Sequence, residues 1–115
     1  MSLIIFHEKQ EVQESLDNYL DLYYNRQMNY FASDLLEKGL SHTDLKKGIS
    51  KAMMAAESAG MELRKHFQLT YTQRGGSLIS DCKLSKLGYA MVLLNAPVEN
   101  PVVARWQVKV LNNFL

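Results

Sequence analysis

The sequence predicts an α+β domain, mainly helical, with about four helices, a short N-terminal strand and one β-hairpin around residues 67–82. Three observations predict it. Apolar residues recur at helical spacing between Val12 and Tyr23 and again between Leu45 and Ala56. Phe67-Gln68-Leu69-Thr70-Tyr71 alternates with period two and runs into Arg74-Gly75-Gly76, a turn. Asn100-Pro101 places an N-cap residue before a proline at the first helical position, the start of a last helix.

The elements follow in order. Leu3-Ile4-Ile5-Phe6 reads as the short strand. From Glu8 to Tyr24, Val12, Leu16, Tyr19, Leu20 and Tyr23 fit one helix face, with acidic residues early, where they suit the helix dipole. A hairpin of Leu20–Tyr24 and Met28–Phe31 across Asn25-Arg26-Gln27 competes with that helix. Ser33 is an N-cap for a helix over Asp34–Lys38 that stops at Gly39. Ser41 or Thr43 caps a longer helix ending near Gly60, with Leu45, Ile49, Ala52/Met53 and Ala56 as its seam. Together these two helices have the outline of a helix-turn-helix. Met61–Phe67 is a transition, and Ser77-Leu78-Ile79 begins the return strand across a somewhat long loop. Ser85 caps a helix running to Asn95 that is apolar nearly all round and therefore central. Gly88 inside it costs about 1 kcal/mol against Ala unless a neighbour packs close. After the Ala96–Glu99 loop, the last helix carries Val103, Trp106/Gln107, Val110 and Phe114 on one face and reaches Leu115 without a cap.

At 115 residues the chain suits one domain, 1–115, with residues 1–29 of uncertain assignment, and it is compatible with the N-terminal part of a longer protein. The hydrophobic fraction of 47% and charged fraction of 22% are those of a folding chain. The longest apolar run, Tyr89–Leu94, is far short of the ~20 residues of a membrane span, and the N-terminus has no cationic region of a signal peptide. Cys82 stands alone, so no internal disulfide forms, and a cytoplasmic location is expected. Net charge is +1 but polarised. Residues 1–40 carry three basic against seven acidic side chains, and residues 41–115 carry ten against five. A nucleic-acid surface therefore belongs in the second part.

A set of weak matches in one order carries a family resemblance. Leu84-Ser85-Lys86, Tyr89-Ala90, Asn95, Pro101, Ala104 and Gln107 stand in the downstream half. Phe31-Ala32-Ser33-Asp34-Leu35-Leu36, Gly39, Ser41, Ser58-Ala59-Gly60 and His66-Phe67 stand upstream. In this pattern the chain resembles the DNA-damage-inducible protein D family, and the N-terminal domains of phage and baculovirus BRO proteins look similar, over roughly residues 30–115. Three places depart from it: Ala96 where glycine is usual, Asn100 in place of a basic residue, and Trp106 to Val108. The resemblance implies a non-enzymatic, DNA-linked or antirepressor-like regulatory module of phage or damage-response proteins, acting in transcription regulation.

The residues themselves offer no catalytic constellation. His7, His42 and His66 are far apart, and none has a metal-ligand partner at spacing, so no metal and no cofactor are expected. Cys82 reads as a small buried thiol. Arg74-Gly75-Gly76-Ser77 lacks the spacing of a phosphate loop. The useful lead is basic. Lys46, Lys47, Ser50 and Lys51 lie off the apolar seam of their helix, and Arg64, Lys65, Arg74, Lys83 and Lys86 cluster around the hairpin. Lys46, Lys47, Ser50, Lys51, Arg74, Lys83 and Lys86 are the expected nucleic-acid contacts, DNA foremost; the bland alternative is a solvated lysine face. Trp106, Val110 and Phe114 on the last helix are either core packing or an interface with a regulatory protein or a second copy.

Overall fold

The computed structural model describes the backbone of residues 2–97 and 99–114, and the side chains of 13–97 and 99–113. Four helices and a three-stranded antiparallel sheet make the α+β fold: α1 (Ser2–Gln27), β1 (Tyr30–Phe31), α2 (His42–Ser58), β2 (Phe67–Arg74), β3 (Ser77–Leu84), α3 (Lys86–Leu94) and α4 (Pro101–Phe114). Short 3-10 turns at Ala32–Leu36 and Leu63–Lys65 lead into α2 and β2. No helix among the described residues is long and apolar enough to cross a membrane.

The hairpin is tighter than expected. Gly75 and Gly76 both have positive φ, +60° and +80°, so a two-residue turn joins β2 to β3. Such a turn matches the natural twist of paired strands, and glycine takes it without a Cβ clash. Pairing runs unbroken from Arg74↔Ser77 to Phe67↔Leu84. β3 is the central strand, because β1 adds to its other edge through Tyr30↔Leu84 and Phe31↔Lys83.

Three local expectations fail. Leu3–Phe6 is no strand but the first turns of α1: no glycine, proline or turn residue separates it from the helical segment that follows. The same helix excludes the competing hairpin, although Tyr30–Phe31 does become a strand. Ser33 caps nothing. It lies fully buried inside the 3-10 turn, where its amide (2.9 Å) and its hydroxyl both donate to the Asp81 carboxylate. A single 3-10 turn thus precedes α2, and the helix-turn-helix outline is not built.

The other caps behave as expected. Ser41 Oγ accepts the Asp44 amide at 3.1 Å, Ser85 Oγ the Gly88 amide at 3.0 Å, and Asn100 Oδ1 the Val102 amide at 2.9 Å. Gly88 has the close neighbour its position demands: a Cβ there would lie 2.5 Å from the His66 carbonyl oxygen. The core gathers Leu35, Leu45, Phe67, Leu84, Leu93 and Val103 between α2, α3, α4 and the base of the sheet. Buried Gln107 donates to the Leu93 carbonyl (2.8 Å) and the Ala96 carbonyl (3.3 Å), so α4 satisfies the open end of α3.

α1 stands apart. The radius of gyration is 17.4 Å, against about 13 Å for a compact chain of this length, and the long axis reaches 64 Å. Among the described residues, the C-terminal part of α1 is held on the hairpin and on the 3-10 turn before it. Asp17 and Asp21 reach Arg64 at 3.6 and 4.0 Å, and Tyr24 lies under Arg64 and Lys65. Asn25 donates to Gln68 and accepts from Lys83.

Candidate nucleic-acid interface

The expected contacts fall into separate settings. Lys46, Lys47, Ser50 and Lys51 are all exposed on α2. At 3.6 residues per turn, Lys46 and Ser50 form one stripe, and Lys47 and Lys51 form another about 100° further round. Lys46 and Ser50 border a groove of about 330 Å³ between α2 and the hairpin, lined also by Ile49, Met53, Leu69, Ser80 and the buried Asp81. Leu69, Tyr71 and Leu78 expose large apolar surface on the outer hairpin beside it.

The hairpin cations are otherwise engaged. Arg74 donates to Asp34 at 3.0 Å and Glu37 at 2.9 Å, tying the far end of β2 to the segment before α2. Burial works against its charge, but these two carboxylates outweigh it and raise the guanidinium's already high pKa. Lys83 is half-buried on Asn25. Arg64 and Lys65 hold α1 and Glu62. Lys86 lies at the start of α3, beside a recess of about 150 Å³ lined by Tyr30, Tyr89, Trp106, Val110 and Asn113. By contrast, Lys46, Lys47 and Lys51 make no ion pair among the described residues.

Two of the three interface candidates turn inward. Trp106 donates its indole N–H to the Tyr89 hydroxyl at 2.8 Å, and Tyr89 stacks on Tyr30 with centroids 5.1 Å apart. Lys38 and Lys109 sit 4.5 and 5.2 Å from the Trp106 ring centre. Val110 packs against the core with it. The side chain of Phe114 lies outside the described residues.

Buried chemistry is structural in its geometry. Asp81, 3% exposed, accepts from the Ser33 amide and hydroxyl, from Thr72 Oγ1 (2.8 Å) and from the Cys82 amide (2.7 Å). Sequence spacing does not single out this carboxylate; its only local signal is a charge inside a strand. Cys82 is fully buried, and burial with the Asp81 charge pushes its thiol up to about 11, which leaves it protonated and unreactive at neutral pH. His66 Nδ1 lies 2.8 Å from Ser85 Oγ, the atom that also caps α3. Burial and, secondarily, Lys65 lower the pKa of its imidazole. No group of three or more His, Cys, Asp or Glu able to hold a metal occurs among the described residues. No family model, curated protein or solved structure matches the chain.

Proposed function

We propose that this chain is a nucleic-acid-binding regulatory module, with DNA as its expected ligand, of the type that the resemblance to the BRO and DNA-damage-inducible families implies. One observation carries the reading. The three lysines of α2 are exposed and free of carboxylate partners among the described residues, while the hairpin cations Arg74 and Lys83 hold the fold together. α2 is therefore where phosphates would be met, with Lys46 and Ser50 at the groove and Lys47 and Lys51 along its outer side. The groove's apolar floor and the exposed Tyr71 beside it suit contact with bases or sugars more than with phosphates. A cytoplasmic location accords with the reduced, buried Cys82.

Fluorescence anisotropy with duplex and single-stranded DNA tests this. Binding at about 50 mM salt should weaken steeply as salt rises. Replacing Lys46, Lys47 and Lys51 by Ala should reduce the slope of log affinity against log salt by about two to three. Arg74→Ala should leave the slope unchanged. Absence of binding at low salt refutes the proposal, and equal loss from Arg74→Ala relocates the interface to the hairpin end.

A further inference from the structure

The sheet ends on a long open strand. Among the described residues, β2 pairs with β3 on one side and with nothing on the other. Hydrogen-bonded pairs alternate along an antiparallel ladder, so from the closing pair Arg74↔Ser77 the residues Arg74, Thr72, Thr70 and Gln68 bond to β3. The main-chain N–H and C=O of Leu69, Tyr71 and Gln73 therefore point away from β3, where no partner meets them among the described residues. Cys82, opposite Leu69, fits the same alternation: its amide turns off β2 and donates to the Asp81 carboxylate. Native edge strands are ordinarily blunted by a charge, a proline or a bulge. From Phe67 to Gln73 this edge has no charged side chain and no proline, and its register is unbroken.

We propose that a second copy of the chain fills this edge, β2 pairing antiparallel with β2 across a two-fold axis between the two Tyr71 residues. Three features select a second copy over another strand. First, the strand is nearly symmetric about Tyr71: pairing centred there sets Tyr71 opposite Tyr71, Thr70 opposite Thr72 and Leu69 opposite Gln73. Aromatic and Thr–Thr pairs of this kind stabilise a ladder. Second, the same register satisfies the backbone. Every outward residue meets another outward residue, so the Tyr71–Tyr71 and both Leu69–Gln73 pairs each exchange two N–H···O bonds. A slip of one residue would set outward groups against inward ones. Third, no like charges face each other. Arg74 falls opposite Gln68 of the other copy and is already held by Asp34 and Glu37 of its own. There is also room for the incoming Gly75-Gly76 turn, because a recess of about 300 Å³, lined by Asp21, Arg64, Phe67, Gln68 and Leu69, lies at that end of the edge.

Sedimentation velocity on the full chain over about a hundredfold concentration range is the test, with a species of twice the chain mass expected. Tyr71 is 68% exposed, so Tyr71→Lys and Tyr71→Glu should keep the circular dichroism of the fold. Each sets like charges directly opposite one another and should raise the dimer dissociation constant at least about tenfold. An equimolar mixture of the two variants should restore the dimer, since opposite charges then face each other. In the parent at high concentration the Tyr71 amide should exchange its hydrogen slowly, and on dilution quickly. Val108→Lys, on the exposed side of α4, should leave the dimer unchanged. A monomer at every concentration overturns the proposal, as does a dimer that survives Tyr71→Lys, is broken by Val108→Lys, or fails to return in the mixture. Assembly past two copies also overturns it, because a two-fold pairing uses up both edges. The α2 lysines take no part, so a chain can fail this test and still bind DNA, or pass it and bind none.

Discussion

Replacing Asp81 by Ala should be the most damaging single substitution in the sheet, and its cost follows from its partners. The carboxylate satisfies the Ser33 amide and hydroxyl, both fully buried, together with the Cys82 amide and the half-buried Thr72 hydroxyl. The Thr72 hydroxyl can turn toward water. The two Ser33 donors and the buried Cys82 amide cannot, and each buried donor left unpaired costs about 1–3 kcal/mol. The expected loss is thus roughly 3–5 kcal/mol, which for a domain of this size lowers Tm by roughly 12–20 °C. Asp81→Asn keeps an acceptor for the Ser33 amide, and the hydroxyls can rotate to accept from its NH2, so a loss of about 1–2 kcal/mol is expected. Ser33→Ala removes a donor rather than the acceptor it serves and should cost about 1 kcal/mol. Urea unfolding of the three variants, with the Ser33/Asp81 double mutant closing the cycle, measures all of this. An Asp81→Ala protein within about 1 kcal/mol of the parent, or a coupling energy below about 0.5 kcal/mol, refutes the reasoning.

Two further outcomes are expected. Gly88→Ala, which improves helix propensity by about 1 kcal/mol, should nevertheless destabilise by about 1–2 kcal/mol in urea unfolding. The new Cβ would press on the His66 carbonyl, which is held in place by the Ser85 amide at 3.0 Å, and a net gain would show that this contact yields. His66, its pKa lowered in the fold by burial and Lys65, makes stability depend on pH. The unfolded chain binds the proton first, so this contribution is complete above the ordinary histidine pKa of about 6.5 and is lost as pH falls through the folded value. Unfolding free energies measured from about pH 7 to pH 5 should decline, and His66→Gln should flatten the decline. An identical slope in the variant would assign it to other groups.

The parts of the fold legible in the sequence are those set by local chemistry. Leu45, Ile49, Ala52 and Ala56 declare α2; Asn100-Pro101 starts α4; alternation around Gly75-Gly76 gives the hairpin. Features decided by distant residues were not legible. Ser33 has the look of a cap, but a carboxylate 48 positions away takes its hydroxyl. β1 is two residues long, too short to show a period, and exists because β3 has a free edge. On the candidate site, composition alone located the excess positive charge, and periodicity put Lys46, Lys47 and Lys51 on the open side of α2. It did not separate them from Arg74 and Lys83, because an ion pair across the fold leaves no mark on local spacing. That Leu16, Tyr19 and Tyr23 share one side of α1 and yet stay exposed was hidden for the same reason: periodicity shows that a helix is two-faced, not which face meets its own domain.

The central place of β3 also sets an order of assembly. β1 closes on residues that come 54 positions later, Tyr30 on Leu84, and the Ser33 donors wait for Asp81. At a synthesis rate of about 5–20 residues per second, the first third of the chain exists for roughly 3–10 s before its acceptor strand is complete. The hairpin can then form at once, since its contacts are local and its turn is two glycines. α1 is thus made before the strand that helps to anchor it, and no fragment that ends before Leu84 contains the whole strand on which these earlier elements close.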